Sequence, residues 1–185
     1  MKKILLFLFL GAVGFTAYSC DNSDDTVVQG QDYDTISQAF DITPSFTKVT
    51  DNLYRWSDDF QKPLVQSDMV LIYMQIGTDG DSPIWKLLPY TYYVGNLAND
   101  AVDYVYEFSK YGATININST STFSLTANPS YYQNKKFRVL VVPANGSGTG
   151  GGAKMAKGAV DYSDYNSVIK YYNINESKIQ TKVSK

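Results

Sequence analysis

The acid–base chemistry open to this chain is narrow. It contains no histidine and a single cysteine, which removes Ser/His/Asp and Cys/His triads, histidine-ligated metals, four-cysteine zinc sites and internal disulfides. Glycoside hydrolysis needs only two carboxylates. The chain's two glutamates, however, are far apart: Glu107 falls on the polar face of a strand pattern and Glu176 near the C-terminus. Asp58-Asp59 reads as a solvated corner. Thr78-Asp79-Gly80-Asp81-Ser82 could offer oxygens to Ca²⁺, but two carboxylates fall short of the six to eight ligands that ion takes, and the segment reads as a hairpin turn. Gly146-Ser147-Gly148-Thr149-Gly150-Gly151 fits G-x-G-x-x-G, yet no amphipathic helix starts at the glycines as a dinucleotide site requires. We therefore assign no catalytic residue, cofactor or metal site and expect no enzyme, with a carboxylate-dependent glycoside hydrolase as one alternative.

Aromatic content is the unusual feature, with 16 tyrosines and two tryptophans in 185 residues. Aromatic faces stack on sugar rings and anchor protein contacts. Tyr104, Tyr106 and Phe108 have the spacing of a core face. Trp56, Trp85, Tyr92, Tyr131 and Tyr132 are the candidates for an exposed patch that binds a glycan or protein ligand.

Cys20 carries a different chemistry. Lys2 and Lys3 precede an apolar run over residues 4–10, and small residues follow up to Ser19-Cys20, the layout of an export signal. Its apolar stretch is short of the roughly 20 residues a membrane-crossing helix needs. An unpaired thiol at the cut site points to acylation of Cys20 and a lipid anchor, of palmitate type, after removal of residues 1–19. Ala17-Tyr18-Ser19 also suits an ordinary signal peptidase, which leaves simple secretion open. Residues 20–32 form an acidic tether that begins Asp21-Asn22-Ser23-Asp24-Asp25. Asp25-Thr26-Val27 and Asp34-Thr35-Ile36 match a short O-glycosylation pattern. Without Lys2 and Lys3 the chain has 14 basic against 18 acidic residues, a net charge of −4, so nucleic acid is not expected as a partner.

The elements that must carry these groups are mostly strands. From residue 32 to 143, Val, Ile, Tyr, Phe and Thr alternate with polar residues between Gly, Pro, Asn and Asp punctuation. Residues 69–76 are apolar on both faces, as in a central strand. Pro89 splits 84–88 from 90–94. Residues 102–109 put Val102, Tyr104, Tyr106 and Phe108 on one side and Asp103, Val105, Glu107 and Ser109 on the other, residues 115–118 alternate Ile with Asn, and 137–142 end at Pro143. Seven or eight strands of this kind predict an antiparallel β-sandwich, immunoglobulin-like, over residues 33–185, with a small barrel as the other arrangement. A glycine-rich loop covers 144–152. Ser163 or Asp164 caps a short helix near 164–172 whose Tyr165, Val168, Ile169 and Tyr172 form one apolar stripe meant for the sandwich. Ile179, Thr181 and Val183 alternate with lysines in a last edge strand.

Three blocks taken together carry a resemblance: Trp85-Lys86-Leu87-Leu88-Pro89 with Thr91-Tyr92-Tyr93, the run from Asn134 through Lys135-Lys136-Phe137-Arg138 to Pro143, and Asp164-Tyr165-Asn166-Ser167-Val168 with Asn173-Ile174. Over about residues 65–180 the chain resembles uncharacterised small Bacteroidota lipoproteins, relatives of collagen-like surface lipoproteins. It lacks their Gly-x-y segment, having only Gly30 between Cys20 and Gly77, so triple-helix trimerisation is not carried over. The acidic residues after Cys20 likewise resemble surface-export signals of that phylum. The resemblance implies an anchored domain at the outer membrane or cell surface and carries no established activity with it. The expectation is a non-catalytic binding, adhesion or envelope-structural module, with a pilin-like subunit that exchanges a terminal strand as a further alternative.

Overall fold

The alternation in the sequence resolves into ten strands and one short helix. In the computed structural model, which describes residues 37–65, 68–95, 99–143 and 160–183, the strands are β1 (Gln38–Ile42), β2 (Thr47–Thr50), β3 (Leu53–Asp59), β4 (Asp68–Asp79), β5 (Ser82–Leu87), β6 (Tyr90–Tyr93), β7 (Ala101–Phe108), β8 (Gly112–Ser119), β9 (Phe137–Pro143) and β10 (Gln180–Lys182). Helix α1 spans Tyr165–Tyr171. The strands form two five-stranded sheets packed face to face. Sheet A has the order β10-β1-β9-β4-β5 and sheet B the order β2-β3-β8-β7-β6. All described residues belong to one compact unit, Asp32–Lys185. The segments expected to be an export signal and a tether, Cys20, both Asp-Thr motifs and the expected glycine-rich loop with its G-x-G-x-x-G lie outside the described residues.

Pairing is antiparallel throughout except between β1 and β10, which run parallel. The segment that carries α1 takes the chain from β9 past β1 to its outer edge; β10 then runs opposite to β9, as β1 does, and so lies parallel to β1. Asp79-Gly80-Asp81-Ser82 is the β4–β5 hairpin, with Gly80 at φ 57°, a backbone conformation that glycine adopts without strain. Leu88-Pro89, between β5 and β6, is where the chain leaves sheet A for sheet B, since proline offers no donor to either ladder.

Two apolar clusters result. Between the sheets lie Ile42, Trp56, Ile72, Met74, Tyr104, Ile115, Ile117, Phe137 and Val139 among others. On the far side of sheet A, Leu71, Tyr73, Trp85, Leu140 and Val142 meet Tyr165, Val168 and Tyr172 of the helical segment. Strands β4 and β9 are therefore buried on both faces. Helix α1 can form here because the Asp164 side chain accepts from the backbone N–H of Asn166 at 3.0 Å, so one orphan donor of a two-turn helix is satisfied. Its stability comes from the stripe laid on sheet A, because an isolated helix this short does not persist in water.

Candidate functional site

Three of the five aromatic candidates stay partly open and two do not, which corrects the expectation of one exposed patch. Trp56 and Trp85 are each 6% exposed. Trp56 sits between the sheets, and Trp85 lies under α1 on the opposite side of sheet A, so the two are in separate clusters. The period-two pattern places Trp56 with Tyr54 on the inner face of β3, whereas Trp85 is buried only because the helical segment returns over it. Tyr92, Tyr131 and Tyr132 are half-buried and pack against the inter-sheet core. Tyr132 stacks on Tyr54 with ring centroids 3.9 Å apart, and Tyr131 stands edge-on to Phe123 and Tyr92. The inward ring, Tyr104, donates its hydroxyl to the Tyr131 carbonyl at 2.6 Å. These rings bind one another before they bind anything else.

The most densely connected polar group was not legible in the sequence. Strand register places Asp41 of β1 and Tyr73 of β4 on either side of Arg138 of β9, all facing the helix. Arg138, 7% exposed, donates Nε to Asp41 Oδ1 at 2.7 Å and Nη2 to Oδ2 at 3.1 Å, a bidentate fork. Its Nη1 donates to Glu176 Oε2 at 2.8 Å and to the Tyr165 hydroxyl, which in turn donates to Glu176 Oε2 at 2.7 Å. The guanidinium lies 4.4 Å from the centre of the Trp85 ring, and Lys136 adds a second cation 3.0 Å from Asp41. Burial opposes the charge on both partners. For Asp41 the bonds from Arg138 and Lys136 overcome it and hold the carboxyl below its usual range. For Arg138 the bonds to Asp41 and Tyr165 likewise outweigh burial and raise its proton affinity. This group is a clamp joining β1, β9, α1 and the Glu176 turn.

This clamp also separates the two glutamates. Glu176 is bound over the outer side of sheet A, while Glu107 lies on β7 of sheet B. The structure does bring Glu107 near the corner aspartates: Ser57, Asp58, Asp59, Glu107, Phe108 and Gly112 help to line one shallow depression of about 310 Å³ at the end of sheet B. Asp58, Asp59 and Glu107 are all exposed. Among the described residues no group of three or more His, Cys, Asp or Glu is arranged to hold a metal ion.

The outer faces of the two sheets differ. Sheet A is covered by α1; no described element covers sheet B. Its outer side carries a lattice of hydrogen-bonding side chains: Arg55 Nε donates to Asn116 Oδ1 at 2.8 Å, the Ser57 and Thr114 hydroxyls are 2.8 Å apart, and Thr91 donates to Asp103 at 2.6 Å. Asn118 lies opposite Asp103 in the same rows. Tyr93, at the end of β6, is 83% exposed. It is the freest ring among the described residues, and its alternation with inward-facing Tyr92 was the signal that could have named it.

The chain matches no protein-family profile, and neither a curated protein nor a solved structure is significantly similar to it. No helix among the described residues is long and apolar enough to cross a membrane.

Proposed function

We propose that this protein is a lipid-anchored extracytoplasmic module, held at the outer membrane or cell surface through Cys20, that binds without catalysis and uses the bare face of sheet B for that purpose. One observation carries the reading: the uncovered sheet combines rows of amide, hydroxyl, carboxylate and guanidinium groups with the exposed ring of Tyr93. A flat polar lattice beside a solvent-exposed aromatic suits an extended, hydroxylated ligand such as a glycan chain, with the ring stacking on a sugar and the side chains exchanging hydrogen bonds with its hydroxyls. The exposed carboxylates Asp58, Asp59 and Glu107 lie in solvent without the burial that prepares a general acid, which favours binding over hydrolysis.

The test has two arms. Acyl-chain labelling of the wild type and of Cys20→Ser reads the anchor: label on the wild type and none on the variant is the expected result. A glycan array reads the face, with Tyr93→Ala and Asn118→Ala each lowering retention of a bound glycan about tenfold. A wild type that retains no glycan, or variants that retain it unchanged, sinks the binding assignment.

A strand-exchange subunit is the second reading, favoured by β10. That strand is three residues long, wholly exposed and followed by Val183 at 96% exposure. Its departure leaves the β1 edge open to a strand from another copy. Higher oligomers on deletion of residues 179–185, absent from the wild type, support it.

A further inference from the structure

Three of the seven large hydrophobic side chains that are exposed in the described residues gather at one end of the sandwich: Val65 at 38%, Phe108 at 45% and Tyr111 at 58%. Two backbone bonds hold the patch together. Phe60 N–H donates to the Tyr111 carbonyl and Leu64 N–H to the Lys110 carbonyl, both at 2.7 Å, lashing the segment after β3 to the β7–β8 turn. Phe108 stacks near Tyr106, whose hydroxyl reaches across to the Val70 carbonyl at 2.9 Å. Lys110 Nζ sits 4.8 Å from the centre of the Tyr111 ring, and Lys62 is exposed close by in sequence. Side chains from Leu64 to Lys110 line a depression of about 400 Å³ here.

This is also the end at which the folded body receives its N-terminal chain. Val70 pairs with Val141, and Val141 with Gln38, so β1 begins level with the start of β4, in the row that Tyr106 bonds and with β9 between the two strands, at the same end of sheet A as Asp68. Sixteen residues separate Cys20 from Ser37, and at full extension they reach no more than about 60 Å. For a body tethered at Cys20, a linker of this reach keeps the end where the chain enters within range of the bilayer at a high effective concentration. Exposed aromatics beside lysines are the residues that favour the boundary between headgroups and acyl chains. Asp58, Asp59, Asp68 and Glu107 border them, and four carboxylates against Lys62 and Lys110 disfavour an anionic surface and suit a zwitterionic one.

We propose that Val65, Phe108 and Tyr111 seat this end of the sandwich in the headgroup region of a zwitterionic bilayer, so that the anchored body is held in one orientation. The proposal rests on the membrane-anchored reading, and its test is built so that the two fail separately. The thiol of Cys20, the only one in the chain, is coupled to a maleimide-headed lipid in phosphatidylcholine vesicles, which supplies an anchor whether or not the cell acylates the residue. Tyr111→Trp and Tyr93→Trp are compared in vesicles containing brominated phosphatidylcholine. Trp56 and Trp85, both buried, contribute the same background to each. The added tryptophan at 111 is expected to be quenched at least twice as strongly as that at 93. Placing Phe108→Asp and Val65→Asp in the Tyr111→Trp chain should bring its quenching down to the level at 93. Equal quenching at the two positions, or quenching at 111 that survives those two substitutions, overturns the proposal. Strong quenching at 111 with no native acylation in cells keeps the seating surface and removes the native anchor.

Discussion

Removing the Arg138 guanidinium should be among the most damaging changes to a polar group in this fold. Arg138 and Asp41 are 7% and 5% exposed, and nearly every polar atom they bury is satisfied by the other or by the helical segment. Arg138→Ala leaves the Asp41 carboxylate buried with Lys136 as its remaining cation and strips the bond that steadies Tyr165. Breaking a buried pair in this way costs about 3–5 kcal/mol. The contact with Glu176, whose side chain is 47% exposed, adds little to that figure because solvent screens it. For a domain of this size each kcal/mol lowers Tm by about 2–4 °C, so the variant should melt about 6–20 °C below the wild type. Replacing both partners, as in Arg138→Met with Asp41→Leu, should recover most of the loss, because no charge is left stranded. The pH dependence follows from Asp41. Its folded carboxyl is held below the usual range, so its stabilisation is complete above the unfolded value of about 3.9 and disappears as pH falls from there through the folded value. Urea melts from pH 7 to pH 2.5 should show a steep acid limb in the wild type and a shallower one in Asp41→Asn. A change below 1 kcal/mol for Arg138→Ala, or an acid limb unaltered by Asp41→Asn, refutes the clamp.

Three further outcomes can be checked on the same material. Gly112→Ala should lower stability by roughly 1–3 kcal/mol in denaturant titration, because its Cβ meets the Asp58 carbonyl at 2.5 Å and Asp59 Oδ1 at 2.9 Å, and a carbonyl cannot swing aside as a side-chain end can. Asn52→Ala should cost about 1–3 kcal/mol, since the two Nδ2 protons are shared among the Thr120 and Phe123 carbonyls and the Ser119 hydroxyl, all within 2.7–2.9 Å, and tie the β2–β3 turn to the segment after β8. Alkaline titration followed by tyrosinate absorbance should reveal a late-ionising group of tyrosines. Burial pushes the phenols of Tyr73, Tyr104, Tyr165 and Tyr172 well above the ordinary value, so these four should ionise only as the fold opens, and stability should decline as pH rises past about 10.

Local pattern was enough to read some parts of this molecule and not others. The Asp79–Ser82 hairpin, the inward faces of β7 and β8, the run from Phe137 to Pro143, the Asp164 cap and the stripe on α1 are written in residues a few positions apart, where side-chain period and turn chemistry decide the outcome. The Arg138 clamp is not. Its members are 97 and 38 residues apart, and only the pairing of β1 with β9 and the return of the helical segment make them neighbours. Trp85 was misplaced for the same reason, because nothing near it in sequence announces that Tyr165 will cover it. Tyr106 and Phe108 share the inner face of β7 with Tyr104, but they reach the open end of the sandwich, and position along the strand overrides the core spacing.

The same patterns also indicate which side of the sandwich is left for other molecules. Strands β4 and β9 are apolar on both faces, and a strand of that kind must be covered twice, which here requires α1 on the side that the opposing sheet cannot reach. Strands β3 and β8 alternate Tyr54, Trp56, Ile115 and Ile117 with Arg55, Ser57, Asn116 and Asn118, and so provide apolar surface for one partner layer only. Covering the outer side of sheet B with another helix would bury the Arg55–Asn116 and Thr91–Asp103 pairs away from water and desolvate groups that have hydrogen-bonding capacity to spare. An incoming ligand with hydroxyls of its own meets no such penalty, because it exchanges water's hydrogen bonds for equivalent ones. This is the physical reason for placing the contact surface on sheet B, and it predicts that replacing Asn116 and Asn118 by valine will draw a hydrophobic probe such as anilinonaphthalene sulfonate to that face while weakening any glycan bound there.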